Sequence, residues 1–281
     1  MRNYLELIKP RLTLVALLPV ALGYFMGRGV WSPFSLLVAV LAGSALLGAG
    51  ANTLKQYLEK DTDAKMARTK NRPLPANRLL EKKALIFGFV LCASGLAILF
   101  FFVNVLSFFL AGLTALSYVF LYTPLKRSTY LNTYVGAVPG ALPSVIGWAA
   151  SGAPFGVRPW ILFAILYAWQ LPHFFAIAWV YREDYKNAGL KMLPVADDSG
   201  RLTSWKLVLL SLSLFILSLA PWAVGMTGTL YLSSALFLGT LLSVGAMLLV
   251  FRRLREARGY ALGSIAYLIL LVFFMILDKK T

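Results

Sequence analysis

Residues 84–103 read ALIFGFVLCASGLAILFFFV, a run without one charged side chain. At about 1.5 Å per residue, a helix of that length reaches about 30 Å, the thickness of a bilayer's hydrocarbon core. Backbone groups in lipid find no water, so a run of this kind is predicted to be a membrane-spanning helix. Working outward, comparable apolar runs occur at 12–27, 34–54, 105–122, 131–150, 160–181, 205–224, 231–251 and 260–277. The chain has 281 residues, 59% hydrophobic and 14% charged, which excludes disorder and an ordinary soluble domain. The expectation is an all-α integral membrane protein with nine transmembrane helices, a single domain over residues 1–281. No small-x-small cleavage site precedes Gly27 and Arg28, so the first run is read as a retained span rather than a signal peptide.

Lysine and arginine number 27 against 11 acids, a formal net charge of +16. In a soluble protein that balance would suit nucleic acid. Here the basic residues lie between apolar runs and orient loops, so no nucleic-acid partner is expected. Alternating the connections places 23 lysines and arginines on one side, and only Arg28, Arg158, Lys279 and Lys280 on the other. The positive-inside rule then puts the amino terminus in the cytoplasm. Ten of the eleven acids share that side, Asp278 being the exception, so charge-dependent chemistry is expected at the cytoplasmic face. Cys92 is the one cysteine. It permits no internal disulfide, and its apolar surroundings suggest passive packing.

Two internal links are long, 55–83 and 182–204, and long connections are usually functional. Each begins in an acidic patch, Glu59, Asp61 and Asp63 in one, Glu183 and Asp184 in the other, and ends in a basic, proline-containing stretch. Two similar halves facing one site would have this form. On a helix continuing past residue 54, Asn52, Gln56, Glu59 and Asp63 fall at about 0°, 40°, 340° and 20°, one polar stripe. Hard cations such as Mg²⁺ are held by one or two carboxylates plus substrate phosphates, which suits this stripe to a metal–diphosphate complex; a solvated helix end gives the same pattern. Arg68 and Arg72 follow, able to fork onto phosphate oxygens or to serve as positive-inside anchors. As loop groups, Asp63 and Arg72 are expected to be exposed and to add little to stability.

The stretch 56–75, QYLEKDTDAKMARTKNRPLP, resembles the acidic motif of the UbiA-type intramembrane prenyltransferases and, more narrowly, of the protohaem IX farnesyltransferases among them. Tyr122 to Arg127, Leu131 to Thr133, Gly136 to Ala141 and Gly147-Trp148 are similar to that family's fourth loop and fifth helix. So are Trp169 to Phe174, Tyr181, Asp184-Tyr185, Ala188-Gly189 and Met192 to Val195. These motifs fall in order over most of residues 50–200; the last three helices agree only in length and position.

The resemblance implies helices around a central cavity, cytoplasmic loops capping the site, and transfer of the farnesyl group of farnesyl diphosphate to a vinyl group of haem b, giving haem O and diphosphate. The implied place is the cell (inner) membrane, with hand-over of product to a haem A synthase or terminal oxidase. Mg²⁺ would be held by Glu59, Asp63 and Asp184, with Arg68, Arg72, Lys126 and Arg127 on the diphosphate and Tyr181 and Tyr185 beside it. Tyr118 and Tyr122, at i and i+4, would shield an allylic cation with their π-faces or form an interfacial belt. One departure stands out: where the family's first motif usually begins with asparagine, this chain has Lys55, and Glu59 stands where many members have aspartate. An ammonium cannot coordinate Mg²⁺. Either Asn52 or Gln56 supplies the missing oxygen, or the metal site is weakened, or the ammonium itself binds diphosphate.

His173, the one histidine, follows Pro172 inside an apolar run. It reads as a contact to haem iron or porphyrin, or as a group satisfying the carbonyl that Pro172 frees. Asp184, eleven residues on, would share its helix face about 16 Å away. The sequence Asp197-Asp198-Ser199-Gly200 reads as a turn. A prenyltransferase acting on an aromatic acid, and a non-catalytic haem-binding or transport protein, are the alternative functions.

Overall fold

The computed structural model describes residues 1–28 and 33–280; residues 29–32, the side chain of Arg28, and Thr281 lie outside the described residues. The helices in chain order are α1 (Arg2–Ile8), α2 (Pro10–Arg28), α3 (Phe34–Asp63), α4 (Glu81–Phe102), α5 (Val105–Leu116), α6 (Thr123–Ser128), α7 (Asn132–Ala150), α8 (Val157–Val180), α9 (Arg182–Asn187), α10 (Leu193–Ala196), α11 (Arg201–Leu217), α12 (Ala220–Ala223), α13 (Thr229–Phe251) and α14 (Ala257–Leu277). Among the described residues there is no strand, only a bridge between Thr227 and Lys279.

Each of the nine apolar runs is helical. The run 205–224 is divided where Pro221 enters the first turn of α12, the place in a helix that tolerates a missing N–H. Between α5 and α6 the chain passes through a π-helical turn, Ser117–Tyr122. Pro124 follows at once; its ring clashes with the carbonyl four residues back, and a widened turn relieves the clash.

Seven helical segments, 34–63, 81–102, 105–128, 157–180, 201–223, 229–251 and 257–277, are long and apolar enough to cross a membrane. Among the described residues, helices α2 and α7, 19 residues each, are not in that set. Fourteen of the residues of α7 are buried, because it packs against α2, α5 and α8. A helix surrounded by protein has no need of lipid-facing leucine, and α7 is built from Gly, Ala, Pro and Ser instead. Gly147 is required by the α2 crossing, since a Cβ there would meet the Val20 carbonyl. On either side lie two apolar cores. Val20, Val40, Leu47, Leu99, Ala111 and Ile146 form one, and Leu162, Phe175, Leu207, Leu214, Leu238 and Leu271 belong to the other. The outer surface is apolar too: Phe101, Phe109, Leu209, Phe237 and Phe273 are each more than half exposed, as a lipid environment demands and water does not allow. In the second core hydroxyls pair between helices, Ser211 with Tyr260 at 2.6 Å and Ser218 with Tyr267 at 2.6 Å, which spares each an unsatisfied polar group.

The site-bearing end departs from expectation in one element. His173 and Asp184 do not share a helix: α8 stops at Val180, Tyr181 leaves helical geometry, and Asp184 lies on α9. The charged segment Arg182–Asn187 turns aside at the end of the apolar helix, with the Arg182 guanidinium 4.3 Å from the Trp179 ring. The turn at 197–200 is as read. Gly200 takes a left-handed φ of 71°, and Asp197 accepts the Thr203 N–H at 2.7 Å, capping α11. Burial opposes its charge, but the Thr203, Ser199 and Gly200 donors hold its carboxyl below the usual range.

Candidate active site

Residues 55–63 carry no glycine or proline, so α3 continues past its apolar run and its polar stripe is regular helix. The stripe faces inward. Asn52, Gln56 and Asp63 are buried, Asp63 to 1% exposure, so this is no solvated helix end. Gln56 Nε2 donates to the Leu7 carbonyl at 2.6 Å, and Asn52 Nδ2 to Thr13 Oγ1 at 3.3 Å, tying the stripe to α1 and α2. Gln56 Oε1 is buried without a hydrogen-bond partner among the described residues.

Glu59 is met by two ammoniums. Lys126 Nζ donates to Oε1 at 2.9 Å and Lys55 Nζ lies 3.8 Å from Oε2. Lys55 also donates to the Tyr118 hydroxyl at 3.1 Å. Tyr118 and Tyr122 stack with centroids 5.8 Å apart and planes at 22°. Lys55 is 4.8 Å from the Tyr118 centroid and 5.4 Å from that of Tyr122, and Lys126 is 4.8 Å from Tyr122. Gly136 makes room for the second ring, because a Cβ there would collide with it. Arg127, adjacent in sequence, is exposed and reaches only the Leu58 carbonyl at 3.5 Å.

The loop after α3 folds back over the stripe. Arg72 Nη1 donates to Asp63 Oδ2 at 2.7 Å, and Thr69 Oγ1 to the Asp63 carbonyl at 2.8 Å. Asp63 and Arg72 are therefore a largely buried ion pair, and the expectation that both are exposed loop groups is overturned. The second long link docks on the first. Asp184 Oδ1 accepts the Ala67 N–H at 3.3 Å, and Arg68 stacks 4.7 Å from the Tyr181 ring centroid with Nη2 3.5 Å from the Tyr185 hydroxyl. Lys191 donates its N–H to the Lys126 carbonyl at 2.8 Å, closing the cap from the other side. The second acidic patch thus docks, through Asp184, on the loop that follows the first. Among the described residues, however, no three His, Cys, Asp or Glu side chains gather as a metal-ready cluster.

Lys9 joins this site at the hinge between α1 and α2, in a left-handed conformation with φ of 48°. Burial, with Lys55 and Arg72 nearby, pushes its ammonium down to about 7, against the pull of Glu59 and Asp63. Three cations, Lys55, Arg72 and Lys126, thus contact two carboxylates, and Lys9 adds a fourth charge to their surroundings.

His173 occupies separate ground. Its Nδ1 lies 2.8 Å from Ser264 Oγ and 3.2 Å from the Ala261 carbonyl, both on α14. The Ser264 hydroxyl proton is committed to that same carbonyl at 2.8 Å, so both partners of Nδ1 are acceptors. The network assigns the proton to Nδ1 and leaves the Nε2 lone pair for a ligand. Trp169 stacks on the imidazole at 5.0 Å and 19°, its Nε1 donating to the Ser264 carbonyl at 2.6 Å. These bonds go to α14 rather than to the carbonyl that Pro172 frees.

Comparison with known proteins decides the family. The model of the UbiA prenyltransferase family matches residues 16–276. The chain belongs to the UbiA prenyltransferase family. It is 43% identical to the protoheme IX farnesyltransferase of Solibacter usitatus, over 99% of both chains, and 39% identical to that of Opitutus terrae, over 99% of this chain and 94% of the other. Among solved structures it is similar to a digeranylgeranylglyceryl phosphate synthase, with a TM-score of 0.83, 19% identity and coverage of 99% and 97%. It is also similar to a UbiA homologue from Archaeoglobus fulgidus bound to DMAPP and Mg²⁺, with a TM-score of 0.73, 18% identity and coverage of 98% and 99%. At that identity the likeness concerns the fold, that of an all-helical integral membrane UbiA protein.

In this UbiA chain, sequence reasoning missed two residues. Lys9 stands in Lys9-Pro10-Arg11, where a basic residue before a span reads as an anchor. Ser264 is one of many serines in the last helices, and its only signal is a hydroxyl within an apolar run.

Proposed function

We propose that the chain transfers the farnesyl group of farnesyl diphosphate to a vinyl group of haem b, with water adding, to give haem O and diphosphate. The observation that carries this is the full-length likeness to proteins named protoheme IX farnesyltransferase. The vinyl group bonds to C1 of the farnesyl chain, the C–O bond breaks with its electron pair going to diphosphate, and water adds to the other vinyl carbon as a hydroxyl with release of one proton. The protein's task is to neutralise the leaving group and to keep the allylic cation from water. Arg68, Arg72 and Lys126 serve the first, with Tyr181 and Tyr185 around Arg68; Arg127 contributes from the exposed rim. Tyr122 presents a π-face for the second. His173, with Nε2 bare, contacts haem iron or a porphyrin edge.

The residues present fit one divalent ion. Asp184 Oδ1 accepts the Ala67 N–H in the loop that follows Asp63, whose Oδ2 is held by Arg72, and the orphaned Gln56 Oε1 is an oxygen donor on the stripe of Asp63. Mg²⁺ held by Asp63 and Asp184 would supply further neutralisation of the diphosphate. Glu59, expected with them, faces two ammoniums instead.

We also infer that α2 and α7 complete a nine-helix bundle around a central cavity, one domain over 1–281. It sits in the cell (inner) membrane with the amino terminus and the site at the cytoplasmic face. Charge supports the orientation, with 23 of the 27 basic residues on that side. Haem O then passes to a haem A synthase or a terminal oxidase. The test is reconstitution with farnesyl diphosphate and either haem b or a quinone-type aromatic acid, with product mass as readout. Farnesylated haem is expected; prenylated aromatic acid with haem untouched would overturn the reading.

A further inference from the structure

We propose that Lys55 is a built-in counter-ion for the diphosphate, taking the place of a divalent metal at Glu59. The proposal rests on reading this end of the bundle as the diphosphate site, and it concerns the residue at which the first motif departs from its family.

Lys55 and Glu59 stand at i and i+4 on α3, and Lys126 comes from α6. Each of the three side chains is 12% exposed. Both oxygens of the carboxylate face an ammonium, at 2.9 and 3.8 Å. A dication brought to Glu59 would displace both and then sit beside them, and such repulsion is steep where water is scarce. The arrangement repels metal but not anions. Two ammoniums share one carboxylate, so one positive charge is left without a match. The Tyr118 hydroxyl at 3.1 Å and the two ring faces orient Lys55 without neutralising it. Asp63 cannot supply the missing charge, because Arg72 holds it at 2.7 Å.

A diphosphate meets that need. Its oxygens accept from Lys55 and Lys126 together, and as the C–O bond breaks the electron pair arriving on the leaving oxygen is met by a cation already in place. No proton moves in this step. Glu59 is then a brace that keeps two like charges close together, and one divalent ion, not two, accompanies the substrate.

The test counts Mn²⁺ ions retained per protein in nanodiscs saturated with the unreactive analogue farnesyl thiodiphosphate, read by electron paramagnetic resonance with protein-free controls. Wild type and Lys55→Arg should retain one ion and Lys55→Asn two. At limiting Mn²⁺, the analogue should bind Lys55→Asn roughly tenfold to hundredfold more weakly, and added Mn²⁺ should recover it. In the native background Glu59→Gln should leave the count at one, a readout that stands even if Lys55→Asn does not fold. Two ions in wild type, or loss of one in Glu59→Gln, would overturn the proposal while sparing the diphosphate site. Failure of wild type to retain the analogue at all would overturn both.

Discussion

Asp63 and Arg72 offer a quantitative test of the site because one partner is almost wholly buried and the other is not. Side-chain exposure is 1% for Asp63 and 26% for Arg72, with 2.7 Å between them. Arg72→Ala strands a carboxylate away from water. Breaking a buried pair in this way costs about 3–5 kcal/mol, and the quarter of Arg72 open to solvent argues for the lower end, about 3 kcal/mol. At 2–4 °C per kcal/mol, the melting temperature in detergent should fall by about 6–12 °C. Asp63→Asn with Arg72→Ala removes both the charge and its partner, so the double variant should recover much of that loss. Activity should behave differently. Neither single nor double variant should turn over farnesyl diphosphate at more than about one-hundredth of the wild-type rate, since each lacks a group meant for the leaving diphosphate. The assay pairs a melting curve with haem O formation on the same preparation. A double variant less stable than Arg72→Ala, or one that keeps wild-type turnover, would refute the reasoning.

Three further outcomes are expected. Ser264→Ala removes the 2.8 Å acceptor of His173 Nδ1 and should weaken haem binding, followed by its Soret band, about 2–12-fold, the worth of one hydrogen bond, with the KM for farnesyl diphosphate unmoved; equal losses for both substrates would point to packing alone. Lys9, pushed down to about 7 by burial and by Lys55 and Arg72, against Glu59 and Asp63, binds an anion only when protonated. The KM for farnesyl diphosphate should therefore rise from about pH 6 to pH 8, and Lys9→Arg, which stays charged, should flatten that rise; an equal slope in the variant would remove Lys9 from the site. Tyr122→Phe keeps the ring face and should keep most turnover, whereas Tyr122→Leu should lose roughly tenfold, the worth of a cation–π contact; the reverse order would give the hydroxyl the larger part.

The membrane made much of the fold legible in the sequence. An apolar run must be helix in lipid, and the runs are helical, with seven segments long and apolar enough to cross a membrane among the described residues. The inward stripe of α3 was legible for a similar reason, because a helix without proline or glycine keeps its 100° period, and Asn52, Gln56, Glu59 and Asp63 had to share a face. What stayed hidden depended on where elements end. The break after Val180 leaves no proline or glycine behind, so Asp184 was placed on the wrong helix. Lys126 and Arg127 are equivalent as letters, yet one step of about 100° points the first at Glu59 and the second at solvent.

Charge shows the same limit at the level of function. The sequence counts Lys9, Lys55, Arg72 and Lys126 among the 23 cations of the more basic set of connections, any of which serves equally to orient a loop. Folding separates them by neighbourhood. An anchoring lysine lies in water, where its charge is already solvated and asks for no partner. Three of them, Lys55, Arg72 and Lys126, are brought against two carboxylates by α3, α6 and the loop after α3, and Lys9 feels the same charges from the hinge before α2. Holding an excess of positive charge away from water costs stability that loop orientation does not require. A site that bears this cost when empty recovers it when a polyanion enters. The imbalance is therefore better evidence for a diphosphate than Glu59 or Asp63 alone, each of which is already met by a cation of the protein.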